Sequence, residues 1–293
     1  MGLSFHDIKK KVQKRIGKQT VKKIVEFVEQ KGINLWGLNK PYDFCKISIY
    51  LTLYKDLKGM GSKKLKKKIS NWYKPTDKTL MRNIQVLREL ISVWAEDQIV
   101  LGTNVNWNLA RDPSAFAKDL KKVNLWIDSS DFPLEGKRKI RKKSDEWSYK
   151  LNAPGRRFMV IMDGSTHIRA CFGPYSPKLH DSSWLEANKK WVEGNLNKGV
   201  VVGDCHFSYG RKFKRAKFHI PYSKLCKEYK NYIGYNRDIR KIRGLVESPF
   251  GIAKELFKAL RKPFPGSAEQ CWDSNLVLIA FGRHNFKLYN NEN

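Results

Sequence analysis

Two short apolar runs, each closing on an aspartate, constrain this chain more than any other feature. Val123-Asn124-Leu125-Trp126-Ile127-Asp128 and Val200-Val201-Val202-Gly203-Asp204 have the length and the β-branched content of buried strands. Open α/β sheets collect their ligands at the carboxyl ends of the strands. A carboxylate at that end of two separate strands therefore predicts a sheet with an acidic site at one edge. An aspartate there is more often a turn former. Asp163, followed by Gly164, reads as such, because Asp-Gly is a hairpin turn.

Around these runs the texture changes once, near residue 100. Residues 6–30 place Ile8, Val12, Ile16, Val21, Ile24, Val25 and Val28 at helical spacing among lysines, and 42–57 form a second apolar helix. Gly59-Met60-Gly61 breaks it, and Ser62 reads as the N-cap of a short basic helix over 62–72. The Tyr73-Lys74-Pro75-Thr76 turn then leads to a helix from 77 to about 97, capped by Thr76. A short helix, a tight turn and a second helix outline a helix-turn-helix, with Lys78, Thr79, Arg82 and Asn83 on the first turns of the reading helix. The competing reading is an ordinary three-helix bundle with a charged exterior. Residues 101–121 read as a linker, rich in Asn with Gly102 and Pro113. Strand-like runs follow at 123–128, 146–151, 157–163, 167–172 and 200–204, with a helix over 182–196 before the last. Helices over 235–261 and about 268–282 close the pattern. The expected organisation is an all-α module over 1–100, a linker, and an α/β domain over 122–293 whose sheet is flanked by helices.

Charge narrows the partner. With 58 Lys and Arg against 28 Asp and Glu the net charge is +30, divided as +13 over residues 1–100 and +17 over the rest. A chain this basic throughout repels itself and is best explained by a polyanion, with a ribosome-like structural protein as the bland rival. The 41% hydrophobic content, nine Trp and fifteen Phe exclude a disordered polycation. Five scattered cysteines without a CxxC predict free thiols in a reducing compartment, and the absence of any run of about 18 apolar residues predicts no membrane span. No apolar leader core is expected, and His6 breaks the myristoylation pattern. The expected location is the nucleus, or the cytosol in a prokaryote. Lysine runs at 9–11, 63–68 and 137–143 fit either nuclear import or a DNA-facing surface. The last reads as a DNA clamp or a solvated hairpin tip.

A negative site inside so positive a chain has a chemical use. Cutting a phosphodiester requires an activated water, a stabilised leaving oxygen and neutralisation of the phosphorane, and two Mg²⁺ or Mn²⁺ ions about 3.5–4 Å apart supply all three. Such hard ions take carboxylate oxygens, water and phosphate. Asp128, Asp204 and Glu247, the last in Ile242-Arg243-Gly244-Leu245-Val246-Glu247, are the candidate catalytic and metal-binding acids.

The blocks around these acids resemble the catalytic domain of Harbinger/PIF-type DDE transposases, over about residues 123–261. Ile127-Asp128-Ser129-Ser130 stands where the family's first acid opens a turn. Gly173-Pro174-Tyr175-Ser176-Pro177-Lys178-Leu179-His180-Asp181-Ser182 is similar to its Gly-Pro/Ser and His-Asp-Ser block. Gly203-Asp204-Cys205-His206-Phe207 is similar to its second acid motif. Arg243-Gly244-Leu245-Val246-Glu247-Ser248-Pro249-Phe250-Gly251-Ile252-Ala253-Lys254 is similar to its third, with Asn236 upstream as the family often has. The resemblance implies an RNase H-like mixed sheet and Asp128, Asp204 and Glu247 as ligands of two Mg²⁺ or Mn²⁺ ions. It also implies a preceding helix-turn-helix, terminal inverted repeats of DNA as substrate, a Myb-like partner protein and a homodimer. Two departures stand out: Ser129-Ser130-Asp131 replaces a Gly-Thr-His-like turn, making Asp131 a competing or auxiliary acid, and Pro249 follows Glu247 closely enough to start or kink its helix.

Three secondary readings stay open. Asp181 is either a plain N-cap or a group near DNA or metal. Arg243 and Lys254, spaced to share a helix face with Glu247, contact phosphate or form simple ion pairs. Lys78 and Arg82 are the candidate DNA contacts of the helical module. The leading expectation is a metal-dependent endonuclease or transposase, joining strands or only hydrolysing them. Its rivals are a domesticated, catalytically silent DNA-binding derivative, an RNA-binding structural protein, and an enzyme cutting RNA–DNA hybrids.

Overall fold

A computed structural model describes residues 2–32, 41–99, 120, 123–133, 142–197, 199–222, 232–244, 247–261 and 272–290, and their side chains except those of 41–43, 232, 247–249 and 272–274. The helices are α1 (Phe5–Ile16), α2 (Lys18–Gln30), α3 (Pro41–Lys58), α4 (Ser62–Ile69), α5 (Asp77–Glu96), α6 (Asp181–Ala187), α7 (Lys189–Asn195), α8 (Tyr232–Arg243), α9 (Glu247–Leu256) and α10 (Trp272–Tyr289). The strands are β1 (Leu125–Pro133), β2 (Trp147–Ser148), β3 (Ala153–Asp163), β4 (Ile168–Tyr175), β5 (Val200–Val202) and β6 (Lys217–His219). The chain divides into two compact units, 1–98 with 133–139 and 252–293, and 99–132 with 140–251. The expected linker 101–121, apart from Leu120, and most of the Lys137–Lys143 run lie outside the described residues.

The first unit is helical because its apolar residues recur at helical spacing and its ends are capped. Ser4 and Asp7 form a capping box at the start of α1, each side chain taking the other's backbone amide at 3.2 and 3.1 Å. Gly17, at φ 107, ends α1 and opens α2, so the single helix expected over 6–30 is two. Ile8, Val12 and Ile16 of α1 and Val21, Ile24 and Val28 of α2 are fully buried. Thr76 caps α5 as expected, accepting from the Thr79 amide at 3.1 Å, whereas α4 is capped by Gly61 with Ser62 as its first residue. Asp56 of α3 and Arg88 of α5 form a fully buried bidentate ion pair, one arm of which is Nε to Oδ2 at 2.8 Å. Gly282 of α10 lies so close to Ala95 of α5 that a Cβ there would stand 2.6 Å from backbone and side chain alike. Only glycine permits that helix–helix approach.

The second unit holds a mixed sheet in the order β2-β3-β1-β5-β6, with β4 paired to β3. The β1–β5 and β5–β6 pairs are parallel, and β3 runs antiparallel to β2 and β4. Apolar alternation from both faces fills a core of Leu125, Ile127, Met159, Ile161, Trp184, Leu185, Val201 and Phe207, all at most 1% exposed. The β3–β4 turn is held by Asp163, which accepts from the amides of Ser165 and His167 at 2.9 and 3.1 Å and from Arg169 Nε at 2.7 Å. Burial alone would raise the Asp163 carboxyl, but bonds from His167 and Arg169 hold it below the usual carboxylate range. The expected helix 182–196 is broken at Asn188 into α6 and α7. The expected helix 235–261 is two, α8 and α9.

Candidate active site

The parallel register brings two of the predicted acids near each other. Leu125 pairs with Val201 and Trp126 with Val202; Asp128 lies two residues further along β1 and Asp204 two residues past Val202, the end of β5, near enough for its charge to act on Asp128. Gly203 allows the turn after β5: a Cβ there would press on Ile127 and Phe207 at 3.1 Å. Asp204 then caps the 3-10 turn Cys205–Lys212, its carboxylate accepting from the His206 amide at 2.8 Å. Asp128 accepts from the Ser129 amide at 2.8 Å.

The surroundings of the two acids differ from those of a solvated carboxylate. Burial pushes the Asp128 carboxyl up to about 6; the Asp204 charge adds to this, while the Ser129 amide, Arg243 and Lys150 oppose it. Arg243 Nη1 lies 4.0 Å from Asp204 Oδ2. The carboxylate oxygens of Asp128 and Asp204 are the hard donors that Mg²⁺ and Mn²⁺ prefer, and the donor set fits such an ion. Among the described residues no group of three His, Cys, Asp or Glu side chains is arranged to hold a metal.

Glu247 is the first residue of α9, and its side chain is outside those described. The backbone on either side of it is tied to β1. Trp126, fully buried, donates its indole N–H to the Ile242 carbonyl at 3.0 Å. Beyond Glu247, the buried ring of Phe250 packs on Phe132 with centroids 6.4 Å apart. The segment carrying the third acid is thus bracketed by two contacts to the strand that carries the first. Pro249 falls in the first turn of α9, where a missing amide costs no helical hydrogen bond.

Several secondary expectations change. Asp181 does not cap α6. His180 does, accepting from the Ser182 amide at 3.3 Å, while Asp181 is buried, 3.5 Å from Arg157 and bonded by the Ser129 side chain. Burial, with the Asp204 charge adding, raises its carboxyl above the usual range against the pull of Arg157 and Ser129. Asp131 is fully buried, with Arg157 Nε at 2.8 Å and Ser148 Oγ at 2.6 Å. Arg243 ends α8 and Glu247 and Lys254 lie on α9, so the three do not share one helix face. Asn236 clips a loop by exchanging two 2.8 Å bonds with the Tyr222 backbone. In the helical unit Lys78 and Arg82 are exposed on the first turns of α5, but Asn83 is only 2% exposed and is not placed to read a groove. Arg157 and Lys150 were missed: Arg157 stands mid-strand, where a lone charge shows no sign of its acid partners.

With this geometry in view, the family is plain. A model described as DDE superfamily endonuclease matches residues 127–285, more than half of the chain, and the chain belongs to that family. Its mixed α/β fold is consistent with that family, whose function is of the transposase or nuclease type. Comparisons with curated proteins and with solved structures found no match.

Proposed function

We propose that the protein is a metal-dependent DNA endonuclease that uses Asp128, Asp204 and Glu247, and that it is a transposase or descends from one. The observation that carries the reading is the placement of Asp128 on β1 and Asp204 just past the end of the adjacent parallel β5, close enough for the Asp204 charge to raise the Asp128 carboxyl. Tethering of the flanks of Glu247 to β1 supports the third acid. Mg²⁺ or Mn²⁺ bound by these carboxylates supplies water activation and charge neutralisation at the phosphorus. The chain's own residues hold and orient the acids, and Arg243 and Lys150 place positive charge beside them for the scissile phosphate. Water or a freed 3′-OH then serves as the nucleophile in the same in-line displacement.

The Harbinger/PIF subtype belongs to this proposal, and with it terminal inverted repeats as substrate, a Myb-like partner, a homodimer and action in the nucleus. So does the division of labour by domain: α4 and α5 form the helix-turn-helix, with Lys78 and Arg82 toward DNA, Lys254 adds a backbone contact, and 122–293 forms the catalytic domain. Supercoiled plasmid tests the reading. Wild-type protein with Mg²⁺ or Mn²⁺ nicks it, and Asp204→Ala abolishes nicking while keeping DNA affinity. Equal nicking by the variant would refute the assignment.

A further inference from the structure

Four carboxylates crowd this corner of the sheet, and a single guanidinium sorts them. Arg157 of β3 sends Nε to Asp131 Oδ1 at 2.8 Å and Nη2 to Asp131 Oδ2 at 3.3 Å. Its Nη1 reaches the Leu179 carbonyl at 2.8 Å and Asp181 Oδ1 at 3.5 Å. One planar fork thereby joins three elements: β3, the β1 segment beyond Asp128, and the entrance to α6. Asp131 and Asp181 are 1% and 5% exposed, so neither charge has water as an alternative partner. The chain of contacts continues into the site. Asp181 is hydrogen-bonded by the Ser129 side chain, and the Ser129 amide binds Asp128. Asp204 is close enough for its charge to act on both Arg157 and Asp181.

We propose that Arg157 is the positioning residue of the acidic site, occupying Asp131 and Asp181 so that Asp128 and Asp204 alone among these four face the cations, and fixing through Asp181 the Ser129 segment that presents Asp128. This deepens the endonuclease reading and rests on it. Arginine suits the task because its fork binds one carboxylate side-on while its far nitrogen takes a carbonyl and a second acid, which an ammonium cannot do in one plane.

The physical content lies in a sign. If Arg157 acted only as a nearby positive charge, its removal would tighten cation binding. As a positioning residue its removal loosens binding, although the site becomes more negative. Mn²⁺ titration of the full chain, followed by electron paramagnetic resonance in the absence of DNA, reads that sign directly, with melting curves correcting for the folded fraction. Arg157→Met is expected to weaken Mn²⁺ binding by about 10–100-fold, the usual effect of losing an outer-shell partner. Ser129→Ala leaves the Arg157–Asp131 pair intact and changes no charge; losing the donor to buried Asp181 gives a modest drop in melting temperature that leaves the chain folded at room temperature, and Mn²⁺ is expected to weaken in the same direction. Tighter binding by Arg157→Met, or wild-type binding by Ser129→Ala, overturns the proposal. Asp204→Ala separates the two readings: if it too binds Mn²⁺ like wild type, the endonuclease site itself is wrong, whereas loss there with no change in Ser129→Ala condemns the positioning role alone.

Discussion

Asp128 is the residue at which stability and chemistry pull apart. Its carboxyl is raised to about 6 in the folded chain against an ordinary 3.8, so between about pH 4 and 6 the folded state binds the more protons. Metal-free stability therefore falls as pH rises through that window and stays lower above it. Asp128→Asn removes the buried charge and is expected to raise stability at pH 7.5 without metal by about 1–3 kcal/mol, read by denaturant titration. The same variant loses nicking. Because the ligand must be ionised, Mn²⁺ affinity of the wild type is expected to drop as pH falls below about 6, approaching tenfold per unit. A flat profile between pH 5 and 7 would contradict the placement of Asp128 beside Asp204. The residue scale is also where sequence reading was weakest. Asp131 reads as a competing or auxiliary acid and Asp181 as an N-cap or a group near DNA or metal because the arginine that binds them is 26 and 24 residues away along the chain, and nothing local marks the pairing.

Among elements, α8 and α9 matter most, since they carry Arg243 and Glu247 past β1. Trp126→Phe keeps an aromatic ring but removes the indole N–H, leaving the Ile242 carbonyl without its donor at a cost of about 1–3 kcal/mol, to which the lost ring volume adds. It is expected to lower nicking more than DNA affinity, compared in parallel cleavage and fluorescence-anisotropy assays. In the helical unit, Asp56→Ala leaves Arg88 buried and uncompensated, and should cost about 3–5 kcal/mol in chemical denaturation. Long patterned elements were legible from residues alone: α3 and α5 fall where apolar spacing and caps put them, and β1, β3 and β4 overlap the runs at 123–128, 157–163 and 167–172 but extend beyond them. Short ones were not. β6 has three residues, too few to show a period, and exists because it pairs with β5. The break at Asn188 and the end of α8 before Gly244 fall at residue types that often stop helices, a local signal that the apolar spacing of each long run masks.

At the scale of the whole molecule the excess of positive charge governs how DNA is met. A net +30 implies binding driven largely by counterion release. If six to ten phosphates are neutralised, affinity for duplex DNA is expected to fall by about 10³–10⁵ between 50 and 200 mM salt. Replacing Lys78 or Arg82 by Ala should reduce the slope of log affinity against log salt by about 1 each, without abolishing nicking of saturated plasmid. An unchanged slope would remove α5 from the interface. Charge and composition made a polyanion partner legible before any fold was known, because both are sums over the chain. The meeting of Asp128 with Asp204 was not such a sum: it depends on the Trp126–Val202 register, which only the parallel pairing of β1 and β5 fixes.

The most direct test is anomalous diffraction from crystals of the protein loaded with Mn²⁺. Two peaks about 3.5–4 Å apart, bridged by Asp128 and Asp204 and touched by the carboxylate of Glu247, are predicted. Manganese bound elsewhere, or a Glu247 carboxylate more than about 10 Å from both aspartates, would contradict the account.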